Sequence, residues 1–236
     1  MIMQDDDAPD RRDAEENDPD AEAAKAARSF LKLIEDAVAF KGKPDAISRK
    51  LAESAYYDAC DAPTERAEFD RLLDAVDLDP KHAAALLDLK DFFDLTLEED
   101  LLATRAIAAL AEQRLGKKAF KDDAGFFWHF LETRPYMRAR AELASLYLEA
   151  GEPDLAVEIW EELIALNPDD AQGNRFALVG TCLALSRPET ALRLLEAFSD
   201  KEGEETFNAW GLVLARLLDR KSTSLNSSHE STTRMP

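Results

Sequence analysis

The side chains able to do chemistry near neutral pH are few and scattered. The chain has two cysteines, Cys60 and Cys182, and three histidines, His82, His129 and His229. Two distant thiols make no disulfide framework. In apolar helical surroundings they read as core residues of a chain kept in a reducing compartment. A Cys–His nucleophile pair would need the fold to bring Cys60 or Cys182 to His82 or His129, because no spacing in the sequence joins them. No C-x-x-C or H-E-x-x-H string occurs, and the glycines form no phosphate-cradling loop, so no metal and no cofactor is expected. The densest cluster is Phe126, Phe127, Trp128 and Phe130 around His129, led in by Lys117, Lys118 and Lys121. Aromatic rings gain most by burial, so this run reads as a packed plug holding a lone histidine.

Composition narrows the partners. A formal charge of −20 and a pI near 4.5 argue against a nucleic-acid backbone, which calls for clustered Lys and Arg. The many Asp and Glu residues read as solvated helix faces. No run is long and apolar enough to cross a bilayer: the best, Ala209 to Leu218, is short and contains Arg216. An acidic N-terminus lacks the basic and apolar regions of a secretory signal. The expected address is cytoplasmic, with no nucleic-acid and no membrane partner.

These residues sit on a succession of amphipathic patterns. Residues 1–22 hold ten acidic positions and almost no large apolar ones, and are expected to be a disordered tail. From Ala23, Phe30, Leu31, Ile34, Ala37 and Val38 recur at helical spacing. Gly42 then offers a left-handed cap, and Pro44 opens a helix carrying Leu51, Ala55, Tyr56 and Ala59. A third pattern, Phe69, Leu72, Leu73 and Val76, ends at Asp79-Pro80. Leu86, Leu87 and Phe93 mark the next helix. Thr96-Leu97-Glu98-Glu99 is a capping box before a helix with Leu101, Ile107, Ala108 and Leu110. This gives a degenerate helical block over 23–116, closed by Gly116, and an aromatic insertion over 117–134.

Met137 to Asp170 is the most regular stretch. Two amphipathic patterns flank Gly151, and Asn167-Pro168 closes the second. Counting Met137 as the first position, Leu143, Ala144, Tyr147, Gly151, Ala156, Trp160 and Pro168 carry a large–small–aromatic–turn–small–aromatic–proline signature. In these residues, and in a length of about 34, the stretch resembles the tetratricopeptide repeat. Arg140 stands where that family has its leading tryptophan. The resemblance implies an all-α, right-handed solenoid of antiparallel helix pairs whose first helices line a concave groove. It carries the groove positions onto Arg138, Ala141, Ser145, Leu148 and Glu149. In the following repeat it carries them, to within one residue, onto Gln172 and Arg175. Arg138 and Arg175 would then grip a partner's carboxylate, or pair with the chain's own Glu142 or Asp170. Ser145 occupies the position of an asparagine in the carboxylate clamp of some co-chaperones of this superfamily, so that clamp is not implied.

Beyond this repeat, Asp169 or Asp170 is expected to cap a helix with Phe176, Leu178, Val179, Cys182 and Leu183. Its partner carries Ala191, Leu194, Leu195 and Phe198, and one extra residue near Ser186 is needed to align the pair. A further helix shows Phe207, Trp210, Val213 and Leu214, which makes 135–218 a repeat block. Residues 219–236 turn abruptly Ser-rich, similar to a translated sequencing adapter, and are expected to be a non-native tail on a truncated chain. Leu131–Ala139 and Asn167–Arg175 resemble strings in bacterial tetratricopeptide proteins of unassigned function. The layout is also similar to that of the suppressor-of-tumorigenicity proteins. The expected function is non-catalytic binding of a protein or peptide in the groove. The alternative is an enzyme subunit with its site at the aromatic insertion or beyond this chain.

Overall fold

A computed structural model of the chain describes residues 18–199 and 205–232. Among them every regular element is a helix: ten α-helices and two single 3-10 turns. The chain divides into two units, Met1–Leu110 and Ala111–Pro236.

The first unit contains α1 (Pro19–Ala39), α2 (Ala46–Cys60), α3 (Glu65–Leu78), α4 (Ala83–Lys90) and most of α5 (Leu97–Asp122). Each begins at a recognisable signal. Asp18 caps α1 with Pro19 at its first turn, so the helix takes in residues expected to belong to the acidic tail. The rest of that tail, 1–17, lies outside the described residues. Asp45 accepts from Ile47 N and Ser48 N, both at 2.8 Å, and Thr64 accepts from Ala67 N at 3.2 Å. The Thr96–Glu99 box forms as expected: Thr96 N donates to Glu99 Oε2 at 2.9 Å, and Glu99 N donates to Thr96 Oγ1 at 3.4 Å.

Two local expectations are corrected. Gly42 does not take the left-handed conformation. α1 ends at Phe40, and Asp45 rather than Pro44 starts α2. Along α2 the buried face is Ala52, Ala55 and Ala59, while Leu51 is exposed. Small residues let α2 approach α3, which presents Leu72, Ala75 and Val76. α4 is buried nearly all round, and Phe30 stacks on Phe93 at 4.8 Å between ring centroids.

In the second unit, Gly116 (φ 69°) breaks α5 before its last turns. The aromatic run follows as two 3-10 turns, Phe127–His129 and Leu131–Thr133. It is not the uniform plug expected. Phe127 is fully buried against Phe120 and Tyr136, whereas Phe126 and Phe130 are exposed. The tight turn points successive side chains in different directions: Phe127 faces inward, and Trp128 is half-buried beside Arg134. Thr133 Oγ1 ties the run together by donating to Phe130 O at 2.9 Å and to Phe127 O.

Two helical hairpins come next: α6 (Arg134–Glu149) with α7 (Pro153–Leu166), and α8 (Asn174–Ala184) with α9 (Pro188–Ala197). α10 (Glu205–Thr232) follows, and each helix packs on the next. The turns of the two hairpins have one design. After α6, Gly151 N donates to Leu148 O at 3.1 Å and Glu152 N to Tyr147 O at 2.8 Å. After α8, Ser186 N donates to Leu183 O at 3.1 Å and Arg187 N to Cys182 O at 2.8 Å. Both are Schellman endings, with Gly151 (φ 79°) and Ser186 (φ 57°) in the left-handed position. Pro153 and Pro188 then open the return helices.

Candidate functional site

The Schellman turns fix how the hairpins correspond. Gly151 matches Ser186 and Pro153 matches Pro188, an offset of 35, the same separation at which Gln172 Nε2 donates to Met137 O (3.3 Å). At that offset the buried sets coincide. Leu143 and Ala144 map onto Leu178 and Val179, and Ala156, Ile159, Trp160 and Leu163 onto Ala191, Leu194, Leu195 and Phe198, all buried. These residues form the seam that holds each hairpin closed.

The offset also decides the fate of Arg175. It corresponds to Arg140, not to a groove position, and both arginines lie at the seam. Arg140 pairs with Glu162 on α7, and the Tyr136 hydroxyl donates to the same carboxylate. Burial, reinforced by the bond to Glu162, pushes the Tyr136 phenol well above its ordinary range. Arg175 is 4% exposed. Its Nη1 donates to Asp170 Oδ2 at 2.7 Å, and its guanidinium lies 4.4 Å from the Phe176 ring centroid and 4.7 Å from that of Phe198. Asp170 accepts as well from Asn174 N (2.8 Å) and Arg175 N (3.1 Å), so it caps α8. Of the two roles read for Arg175, the pair with Asp170 is the one formed.

The candidates on α6 fall on the opposite side of that helix, and Gln172 lies in the turn before α8. Ser145, Leu148 and Glu149 are exposed on α6, and Arg138 and Ala141 are half-buried. Ser145 Oγ donates to Ala141 O at 3.3 Å. Gln172 is half-buried and held by Met137 O and Asn174 Nδ2. On α8 the residues in register with Ala141, Ser145 and Glu149 are Phe176, Gly180 and Ala184. These are the ones a 34-residue period misses; the matched Pro153 and Pro188 are the sequence signal for them.

Leu148, Pro153, Phe176, Gly180, Ala184 and Leu185 line a shallow, largely apolar cleft of about 520 Å³. A Cβ built on Gly180 would meet no atom within 4 Å, so the floor of the cleft there is bare backbone. Such a surface can receive one or two apolar side chains.

The cysteines and histidines are placed elsewhere. Of the two thiols expected in the core, Cys60 is exposed at the end of α2, whereas Cys182 is buried at the seam, which pushes its thiol up. His82 Nδ1 accepts from Ala85 N at 3.1 Å and caps α4, while Nε2 faces Glu53 at 3.2 Å. With Nδ1 accepting, Nε2 is the ring nitrogen that donates toward Glu53. His129 lies edge-on to Phe126. Among the described residues no group of three or more His, Cys, Asp or Glu side chains is placed to hold a metal, and no helix is long and apolar enough to cross a membrane. No family model matches the chain, and neither a curated protein nor a solved structure matches it.

Proposed function

We propose that this chain is a tetratricopeptide-type interaction module that binds a protein or peptide, without catalysis, on the face shared by α6 and α8. The observation that carries the reading is the cleft between Leu148 and Phe176, open beside two hairpins whose other side is sealed. A solenoid of paired helices buries one side of each first helix and leaves the other for partners. Here that side offers apolar contact at Leu148 and Phe176, close backbone approach at Gly180, and polar groups at Ser145 and Glu149. Burying one large apolar side chain of a partner in the cleft contributes roughly 1.5–3 kcal/mol. The exposed Glu149 beside the cleft and a net charge of −20 favour a partner segment with basic residues beside that anchor.

The test is a peptide-array screen with the full chain, followed by calorimetry on the hits. Leu148→Glu and Gly180→Leu each alter the cleft without entering the seam, and binding should be lost in both with melting curves close to wild type. Undiminished affinity in both variants would remove the cleft from the account.

A further inference from the structure

α10 presents an apolar stripe that is exposed although the helix is firmly seated. Asn208, Gly211 and Ala215 face inward: Asn208 Nδ2 donates to Phe198 O at 3.2 Å, and a Cβ on Gly211 would come within 2.8 Å of Leu195. Trp210, Val213, Leu214 and Leu217 lie on a different face and are between 48% and 66% exposed. Four large apolar side chains at positions i, i+3, i+4 and i+7 make one continuous strip along a helix.

The sequence register says what such a strip is built to meet. One offset of 35 beyond Arg175, Leu178, Val179 and Cys182 stand Trp210, Val213, Leu214 and Leu217. One offset before them stand Arg140, Leu143, Ala144 and Tyr147. In both hairpins this pattern belongs to a first helix whose second helix runs back along it: Arg140, near the start of α6, meets Glu162, near the end of α7, and Arg175 meets Phe198 at the end of α9. Both second helices carry the same stripe, a small residue followed by large ones three, four and seven positions on. These are Ala156, Ile159, Trp160 and Leu163 in α7, and Ala191, Leu194, Leu195 and Phe198 in α9. On α10, Arg216 and Arg220 are exposed along one margin of the strip. Inside the chain, arginines of neighbouring helices are met by the Glu161 and Glu162 carboxylates of α7.

We infer that the Trp210–Leu217 strip is a docking site for an amphipathic helix of another protein, one with that small-x-x-large-large-x-x-large stripe and an acidic margin facing Arg216 and Arg220. The occupant differs from the ligand of the α6–α8 cleft, and the site stands whether or not the cleft binds a peptide. Helix-in-groove recognition of this kind reads its target through anchors at helical spacing, and the paired charges set the direction of docking.

A fluorescein-labelled peptide of residues 152–167 is a suitable probe, because it has the required stripe and acids and its own place in the intact chain is already filled by α7. Anisotropy with the full chain should rise saturably. Leu214→Lys, and separately Trp210→Ala, should weaken binding by roughly tenfold or more, with circular dichroism unchanged. Arg216→Glu with Arg220→Glu should weaken it and flatten its salt dependence. A scrambled peptide should not bind. The inference is overturned by no saturable rise, by equal binding of the scrambled peptide, or by equal binding to all strip variants. Loss of binding on Leu148→Glu would place the peptide in the cleft, and a wild-type dimer in sedimentation that Leu214→Lys dissolves would make a second copy the occupant. Either result also overturns it.

Discussion

Arg175 and Tyr136 show how much a single side chain is constrained at the seam. The Asp170 carboxylate is fully buried and Arg175 is its charge partner. Removing one member of a buried pair strands the other charge, at a cost of about 3–5 kcal/mol, whereas replacing both with neutral groups of similar size is far cheaper. Arg175→Met should therefore destabilise by about 3 kcal/mol in urea unfolding, and Asp170→Asn added to it should recover a large part of that loss. The same reasoning makes Arg175 unsuitable for probing a binding groove by charge reversal, since the variant would fail before any partner was tested. Tyr136 gives a pH prediction. Its phenol is raised in the folded state above the ordinary value of 10.0, first by burial and then by Glu162. The neutral form is thus favoured by folding: this stabilisation is complete below pH 10 and disappears as pH rises through the folded-state value. Of the four tyrosines, this one should stay un-ionised in an alkaline titration followed at the phenolate band until the protein unfolds. Its ionisation near the ordinary value of 10.0 in the folded protein would contradict the packing at Glu162.

Single elements explain what the sequence revealed and what it hid. The α6–α7 hairpin is legible because Gly151, Pro153 and Pro168 punctuate it where its physics requires: a left-handed cap, a first-turn proline and a stop. α8–α9 has the same turn with Ser186 in the left-handed position, and without a glycine to mark it the register slides by one. That slip moves Arg175 from the seam to the groove and hides Phe176 and Gly180. In α2 the one large aliphatic residue of the pattern, Leu51, is exposed, because close approach to α3 selects the alanines. In the aromatic run, composition speaks for burial, but 3-10 geometry fully buries Phe127 alone and leaves Trp128 half-buried. The two turns also supply a reciprocal test. A non-glycine residue in the left-handed region is strained, so Ser186→Gly should raise stability by about 0.5–1 kcal/mol and Gly151→Ser should lower it by about 1 kcal/mol. Matching changes of the same sign would show that the two turns are not equivalent.

At the scale of the whole chain, charge and burial act against each other. A net charge of −20 repels itself, while exposed pairs such as Arg187–Asp154 and Arg193–Glu161 contribute about 1 kcal/mol each at most. Repulsion outweighs them, so raising salt from roughly 20 to 150 mM should raise the melting temperature; a fall would mean that the ion pairs dominate. Against that background the fold depends on the seams, and the proposed binding uses the faces the seams leave open. Equilibrium unfolding of Trp160→Ala beside Leu148→Glu tests this division most directly. Trp160, 2% exposed in the α6–α7 seam, should cost about 3–5 kcal/mol on truncation, while Leu148→Glu, 41% exposed on the cleft, should change stability by no more than about 0.5 kcal/mol. Equal losses in the two variants, or a Trp160→Ala protein as stable as wild type, would contradict it.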